Sequence, residues 1–329
     1  MKRLALTMVA MASFGAATAE AETLKVSTFL PPNHVWNRAI EAWGTEIADL
    51  SGGELDLEIF PAGQLGPPPR QYDLVRTGAA DLAVILHSAT PGRFPMTELA
   101  GLPLTVPSAG NDSAITSRRL TELAPDYLAG EHPDTKILWM AVTPPLKIHL
   151  TDADPSDLSA FEGKRIRYAG STWQKIIETL GGSPVPVPPA EAADAMGKGV
   201  VDGACFPFEA TKAFDLAPVT GYSLEPGLAA APFALVMSQA TYDALSPELQ
   251  AIIDDTTGPD RAEWFGMMLD EGEAGGRAYM AEAGVNIITL GADQIDDLKA
   301  EFAGIVDEAV AAAADSGGDA EGFLSAYTD

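Results

Sequence analysis

Residues 24–59, LKVSTFLPPNHVWNRAIEAWGTEIADLSGGELDLEI, decide the fold class because they predict a strand, a helix and a second strand in succession. The first four residues form the short first strand. Apolar residues then recur every three or four positions from Trp36 to Leu50, the period of an amphipathic helix, with Asn33 as its expected cap. Residues 55–59 alternate apolar and acidic side chains, as a half-buried strand does. Strands alternating with helices predict an α/β lobe on a largely parallel sheet.

A second set of alternating elements begins near residue 146. Residues 146–150 and 164–168 predict strands. Residues 173–180 predict a helix that follows these strands and precedes the next extended segments. A later strand over 233–237 precedes a long helical tract and an Ala-rich last helix. No low-complexity linker separates the two sets. The sequence therefore predicts two α/β lobes with several chain crossings between them.

The first 21 residues predict a cleaved secretory signal peptide. A basic start, Lys2-Arg3, precedes an apolar run over residues 4–17, and both Ala17-Thr18-Ala19 and Ala19-Glu20-Ala21 offer small-residue cleavage sites. No later stretch approaches about 18 uninterrupted apolar residues, the length that a membrane-spanning helix needs. We therefore expect a periplasmic protein that is not embedded in a membrane.

Composition and missing motifs exclude several classes of function. The 329 residues contain 20 Lys and Arg against 47 Asp and Glu, a net charge of −27, which argues against nucleic acid as a partner. The single cysteine, Cys205, cannot form an internal disulfide. G-x-S-x-G, P-loop, H-E-x-x-H and C-x-x-C motifs are absent, and the four histidines lack metal-ligand spacing. We predict a binding protein without cofactor or metal, not an enzyme.

Five segments, in order, carry a family resemblance. They are the strand and PAGQLG turn of residues 53–66, VRTGAADL at 75–82, LSAFEGKRIR at 158–167, GVVDG at 199–203, and the strand and helix start of 232–250. These segments resemble the substrate-binding subunits of TRAP (tripartite ATP-independent periplasmic) transporters, the DctP-like family. The resemblance covers essentially the whole chain after the signal peptide.

The resemblance implies an α/β, two-lobed periplasmic binding protein fold with hinge strands and a long lobe-spanning helix. One lobe would hold residues 22–145 plus about 232–270, and the other residues 146–231 plus about 271–329. The implied role is to capture a small-molecule carboxylate in the periplasm and deliver it to a TRAP-type membrane permease driven by an ion gradient.

The resemblance also places Arg167 at the family's ligand-clamping arginine. This role makes chemical sense because a guanidinium fork forms two parallel, charge-assisted hydrogen bonds with a carboxylate and does not lose its proton. Arg165 lies two residues earlier on the same strand, and we expect it at the surface of the lobe.

Phe206 marks a departure from the family pattern. Many members have an Asn there that helps to bind the ligand, and others have a Glu-Trp pair that binds a metal with the substrate, whereas this chain has Cys205-Phe206. A phenyl ring lining the pocket would favour a ligand with an apolar body. The alternative is that Phe206 packs in the core of the lobe and has no bearing on the ligand.

Other candidates lie where ligands usually bind, beyond strand ends in the cleft. His34 follows the first strand, and Ser88 follows the strand that ends at residue 86. Lys147 and His149 lie near the expected crossover between lobes. Phe233 begins the returning strand and either stacks on a ligand or packs in the core.

The function predicted from the sequence is therefore a periplasmic TRAP-type receptor for a small organic acid, a monocarboxylate with an aromatic or branched body. Two alternatives stay open within the binding class: a receptor for a dicarboxylate or a zwitterionic osmolyte, and an ABC-type binding protein. The missing catalytic motifs disfavour a secreted enzyme.

Overall fold

Two β-sheets form the frame of the molecule. The computed structural model describes residues 22–105 and 112–328, so the predicted signal peptide, residues 1–21, lies outside the described residues. The strands are β1 (Glu22–Ser27), β2 (Leu55–Phe60), β3 (Leu82–Leu86), β4 (Thr135–Val142), β5 (Leu146–Leu150), β6 (Arg165–Tyr168), β7 (Ser183–Pro186), β8 (Gly203–Phe206), β9 (Tyr222–Ala229), β10 (Pro232–Ser238) and β11 (Asn286–Thr289).

The first sheet has the strand order β2-β1-β3-β10-β4. Strands β1, β2 and β3 are parallel, as the opening stretch of the sequence predicts, whereas β10 runs antiparallel between β3 and β4. All five residues of β3 are buried, and so are all seven of β10. These central strands are covered on both faces, which explains their continuous apolar sequences.

The second sheet has the order β11-β9-β5-β8-β6-β7. It combines parallel pairs at both ends with the antiparallel pairs β9–β5 and β5–β8 in its middle. The carboxyl ends of β6 and β8 lie next to each other because these two strands are parallel neighbours. That edge carries Arg167 and Phe206.

Two short connections join the sheets. The chain leaves the first sheet after β4 and enters the second at β5, and it returns between β9 and β10. The two connections are hydrogen-bonded to each other: the Thr143 amide donates to the Ala231 carbonyl (3.1 Å), and the Ala231 amide donates to Thr143 Oγ1 (3.0 Å). Paired in this way, they form the hinge between the two lobes.

Helices cover the faces of both sheets. They are α1 (Val35–Leu50), α2 (Gln71–Arg76), α3 (Pro95–Glu98), α4 (Ser113–Leu123), α5 (Ser171–Thr179), α6 (Ala192–Gly197), α7 (Phe208–Thr211), α8 (Gln239–Ala244), α9 (Pro247–Asp255), α10 (Pro259–Glu282), α11 (Ala292–Asp315) and α12 (Ala320–Thr328). None of the helices in the described part of the chain combines the length and apolar character that crossing a membrane requires.

Helix α10 is the lobe-spanning helix. It packs against α4 beside the first sheet and against α7 beside the second. Gly276 allows the second contact, because a Cβ at this position would overlap the carbonyl group of Phe208. The predicted two-lobed α/β fold, with hinge strands and a long shared helix, is confirmed.

The last two helices, α11 and α12, pack against helices from earlier in the chain. Helix α11 contacts both α3 and α5, and α12 contacts α4, where Phe323 and Tyr327 join an apolar cluster with Phe94 and Leu120. The exact assignment of residues to lobes stays a prediction. One local prediction is wrong: His34, not Asn33, caps α1.

Candidate ligand-binding site

A cavity of about 60 Å³ lies between the two lobes. By the usual measure of about 10–15 Å³ per water, it holds several water-sized spheres. Polar groups reach it from Ser88, His34, Arg167 and Glu209, and the rest of its wall is mainly apolar. The other lining residues are Phe29, Leu30, Leu86, Leu146, Ala169, Pro189, Cys205, Phe206, Pro207, Ala210, Phe214, Ala231 and Phe233. An apolar cavity with a few polar groups is typical of a small-molecule site.

Arg167 lies in the wall of this cavity and is only 3% exposed. Its Nε donates a hydrogen bond to the Val187 carbonyl (3.0 Å), and its Nη1 donates to the Cys205 carbonyl (3.1 Å). The guanidinium lies over the Phe206 ring, with Cζ 4.3 Å from the ring centroid. Two carbonyls and a ring therefore fix its orientation.

The charge of Arg167 has no acidic partner within 4.0 Å among residues 22–105 and 112–328. Burial lowers its pKa to about 10, so the group remains charged at neutral pH. Two of its five N–H groups are used by backbone carbonyls, and the others are available to a ligand. A buried, oriented cation without a counter-ion has the charge and the hydrogen-bond donors that can hold a carboxylate.

Aromatic rings line the cavity on both lobes. Phe206 packs against Phe214 with ring centroids 5.2 Å apart, and Phe233 stacks on Phe29 at 6.3 Å. Both rings predicted as candidates therefore line the cavity, although each is also more than 90% buried and belongs to an apolar cluster. Lining the pocket and packing in the core are not exclusive here.

His34 reaches the cavity from the start of α1. Its Nδ1 accepts a hydrogen bond from the Trp36 amide (3.3 Å), which caps the helix. Burial and the nearby charge of Arg38 lower the pKa of His34 to about 3, so the ring is neutral. Because Nδ1 is the acceptor, the ring proton is on Nε2.

Glu209 also lines the cavity, and the sequence did not single it out. It lies in α7, just beyond the end of β8, and its side chain is 4% exposed. Burial and then the charge of Glu273 raise its pKa to about 8, so the carboxyl is mainly protonated at neutral pH. Its Oε1 lies 3.7 Å from His34 Nε2. Since both groups are neutral, this contact is not an ion pair.

Ser88 marks the place where the lobes touch. It follows β3 in the first lobe and faces Gly170, which precedes α5 in the second. A Cβ on Gly170 would overlap the Ser88 side chain, and Gly170 has a φ of 87° that favours glycine. The close approach encloses the cavity on this side.

Lys147 does not line the cavity. Its Nζ is buried, forms an ion pair with Glu273 of α10 and donates a hydrogen bond to the Pro145 carbonyl (2.7 Å). The same Glu273 accepts a hydrogen bond from the Glu209 amide (3.0 Å). Lys147 therefore connects β5 to the lobe-spanning helix α10, and through Glu273 it helps to hold the start of α7, which carries Glu209.

His149 also lies outside the cavity wall. Its Nε2 donates to the Phe206 carbonyl (3.1 Å), since a carbonyl can only accept, and Nδ1 accepts from the Ser223 hydroxyl (2.8 Å). It thus holds the backbone of a pocket residue. In the described ranges, no group of three or more His, Cys, Asp or Glu is arranged to hold a metal ion.

His149 is expected to make the protein sensitive to acid. Burial lowers its folded-state pKa to about 4, below the unfolded value of 6.5, so the unfolded chain takes up the proton first as the pH falls. At 1.36 kcal/mol per unit, the free energy of unfolding should drop by about 2 kcal/mol from pH 7 to 5 through this residue.

Urea unfolding of the wild type and of His149→Gln at both pH values measures this contribution. The variant should lose about 2 kcal/mol less than the wild type over the same interval. Equal losses in the two proteins would show that His149 is not held neutral by the fold.

The fold defines a class: a two-lobed solute-binding protein, here with one buried arginine in the wall of a mainly apolar cavity. The model of "Bacterial extracellular solute-binding protein, family 7" (DctP) matches residues 26–312. The chain belongs to this family, and it is a TRAP-type solute-binding protein. A curated solute-binding protein of Roseobacter denitrificans is 24% identical over 291 residues, 87% of each chain.

Two solved structures share the architecture closely. A TRAP solute-binding protein from Rhodoferax ferrireducens, in complex with copurified benzoate, is 29% identical with a TM-score of 0.88, covering 94% of this chain and 97% of that one. A marine metagenome TRAP protein, described as specific for aromatic acid ligands and bound to metahydroxyphenylacetate, is 31% identical with a TM-score of 0.88, covering 94% and 98%. These matches do not favour the ABC-type alternative.

Proposed function

We propose that this chain is a periplasmic receptor that captures a small aromatic monocarboxylate and presents it to TRAP-type membrane permease subunits. The observation that carries the proposal is Arg167, a buried cation without an acidic partner in the described structure, facing a cavity walled by phenyl rings. Such a wall provides one strong interaction for a carboxylate and apolar contact for a ring.

The ligands of similar proteins support the same class. The Rhodoferax protein holds benzoate, and the marine protein holds metahydroxyphenylacetate. Arg167 and His34 are the basic residues in the cavity wall, and His34 is neutral. A second carboxylate would therefore lack a cation, which disfavours the dicarboxylate alternative. We propose binding and release without chemical change, in keeping with solute-binding relatives.

A thermal-shift screen of the purified mature protein against organic acids tests the proposal. Benzoate, phenylacetate, branched monocarboxylates, succinate, malate and glycine betaine form the panel. A ligand at about 100 times its dissociation constant adds about 2.7 kcal/mol to the stability of the folded state. We expect the aromatic monocarboxylates to raise the melting temperature most. Stabilisation by succinate or betaine but not by benzoate would overturn the proposal.

A further inference from the structure

The cavity contains two polar groups that do not satisfy each other. His34 Nε2, which carries the ring proton, lies 3.7 Å from Glu209 Oε1, beyond the range of a good hydrogen bond. In the described structure the Glu209 carboxyl receives no hydrogen bond, and the only bond of the residue to a side chain uses its amide. A donor and an acceptor, both on largely buried side chains of the cavity wall, thus face each other without a hydrogen bond between them.

One hydroxyl group satisfies both. A hydroxyl donates one hydrogen bond and accepts others, so it could accept from His34 Nε2 and donate to Glu209 Oε1. The match does not depend on whether Glu209 is protonated, because one of its oxygens accepts in either state. A ligand carboxylate, which only accepts, could bond to both groups only while Glu209 is protonated, whereas a hydroxyl suits the pair in either state of Glu209.

This pair of residues is separated from Arg167 by two phenyl rings. Arg167 lies over Phe206, Phe206 packs on Phe214, and the Phe214 ring lies 5.9 Å from the His34 ring in an edge-on contact. A ligand anchored at Arg167 would therefore reach His34 and Glu209 with the far part of its ring. A hydroxyl next to the carboxylate would stay near Arg167.

We propose that His34 and Glu209 form a hydroxyl-binding subsite, which makes a meta- or para-hydroxylated aromatic monocarboxylate the preferred ligand. This inference rests on the proposed function and names the substituent that the same site selects. His34 and Glu209 are specificity-determining residues in this account, whereas Arg167 supplies the affinity for the acid group common to all such ligands.

Calorimetric titration of the wild type with benzoate and its 2-, 3- and 4-hydroxy derivatives tests the inference. At least one of the 3- and 4-hydroxy isomers should bind about tenfold more tightly than benzoate, because its hydroxyl forms hydrogen bonds in the cavity that benzoate cannot form. The 2-hydroxy isomer is the matched control, and it should show no such gain. Equal affinities for benzoate and the 3- and 4-hydroxy isomers would overturn the inference.

Three variants test whether these two residues cause the gain in affinity. Glu209→Leu should abolish the advantage of the hydroxylated isomer, measured as the ratio of its dissociation constant to that of benzoate in the same protein, whereas Glu209→Gln, which keeps an acceptor oxygen, should retain that advantage. His34→Asn keeps a good helix cap and should also lose the advantage. Equal weakening of benzoate and hydroxybenzoates in Glu209→Leu would make the residue structural only and overturn the inference.

The outcomes separate this inference from the function beneath it. If benzoate binds without preference for a hydroxyl, the subsite is wrong and the aromatic-acid receptor stands. If the wild type binds none of the benzoates, the proposed function is wrong, and the subsite falls with it.

Discussion

Replacing Arg167 with Ala is expected to weaken the binding of aromatic monocarboxylates by at least about thirtyfold. The side chain is buried and oriented by two backbone carbonyls, so the substitution leaves the ligand carboxylate in an apolar cavity without its cation. Removing one partner of a buried charged pair costs about 2–5 kcal/mol of binding free energy. At about 1.4 kcal/mol per tenfold change, the lower end of this range is roughly thirtyfold in the dissociation constant.

Arg165→Ala is the matched control for this experiment. Arg165 lies two residues away on the same strand, but it is exposed and forms an ion pair with Asp202 (2.7 Å). Its removal should leave the affinity unchanged. Arg167→Lys should bind more weakly than the wild type, because a lysine keeps the charge but not the fork. A loss below threefold in Arg167→Ala, measured by calorimetry, would exclude Arg167 as the anchor.

The wild type is expected to bind benzoate at least about 100-fold more tightly than succinate. A second carboxylate in this cavity would be desolvated next to Phe206, with no second cation in the wall. Burying an uncompensated charged group costs several kcal/mol, and about 2.7 kcal/mol is already 100-fold. Phe206→Asn supplies an amide donor and should reduce the difference in affinity between benzoate and succinate.

Phe206→Leu is the control that separates polarity from the loss of the ring. It keeps the wall apolar, so discrimination against succinate should persist even if benzoate binds somewhat less tightly. Titrations of both acids with all three proteins give the comparison. If succinate or malate binds the wild type more tightly than benzoate, the ring at Phe206 serves the core alone.

Much of the fold follows from patterns that are local in sequence. The period of apolar residues from Trp36 to Leu50 predicts α1, and the alternation in residues 55–59 predicts β2, because each side chain's environment depends on its position in one element. The helix cap was misplaced by one residue. Asn is among the residues that most often cap helices, which is why Asn33 was expected there. In the structure, Nδ1 of His34 accepts the capping hydrogen bond from the Trp36 amide instead.

Residues of the cavity wall could be predicted from the sequence where a motif within one strand marks them. Contacts between segments that are distant in the sequence could not. Arg167 and Phe206 lie at the ends of neighbouring parallel strands, and the structure brings them together in the cavity wall. Lys147 instead pairs with Glu273, 126 residues further along the chain. Nothing local to β5 reveals which acid the shared helix places beside it.

Glu209 carries only a weak signal in the sequence. It is an acid between Phe208 and Ala210, at a helix start directly after a buried strand, and ligand groups often occupy such positions. Its position close to His34 depends on how the two lobes meet, which no spacing in the sequence encodes.

The most direct test of the central claim is a crystal structure of the mature protein with benzoate bound. The account predicts the benzoate in the cavity between the lobes, with both carboxylate oxygens about 2.7–2.9 Å from guanidinium nitrogens of Arg167 and the ring against Phe206 and Phe233. A carboxylate held by other residues, with Arg167 bonded only to the Val187 and Cys205 carbonyls, would contradict it.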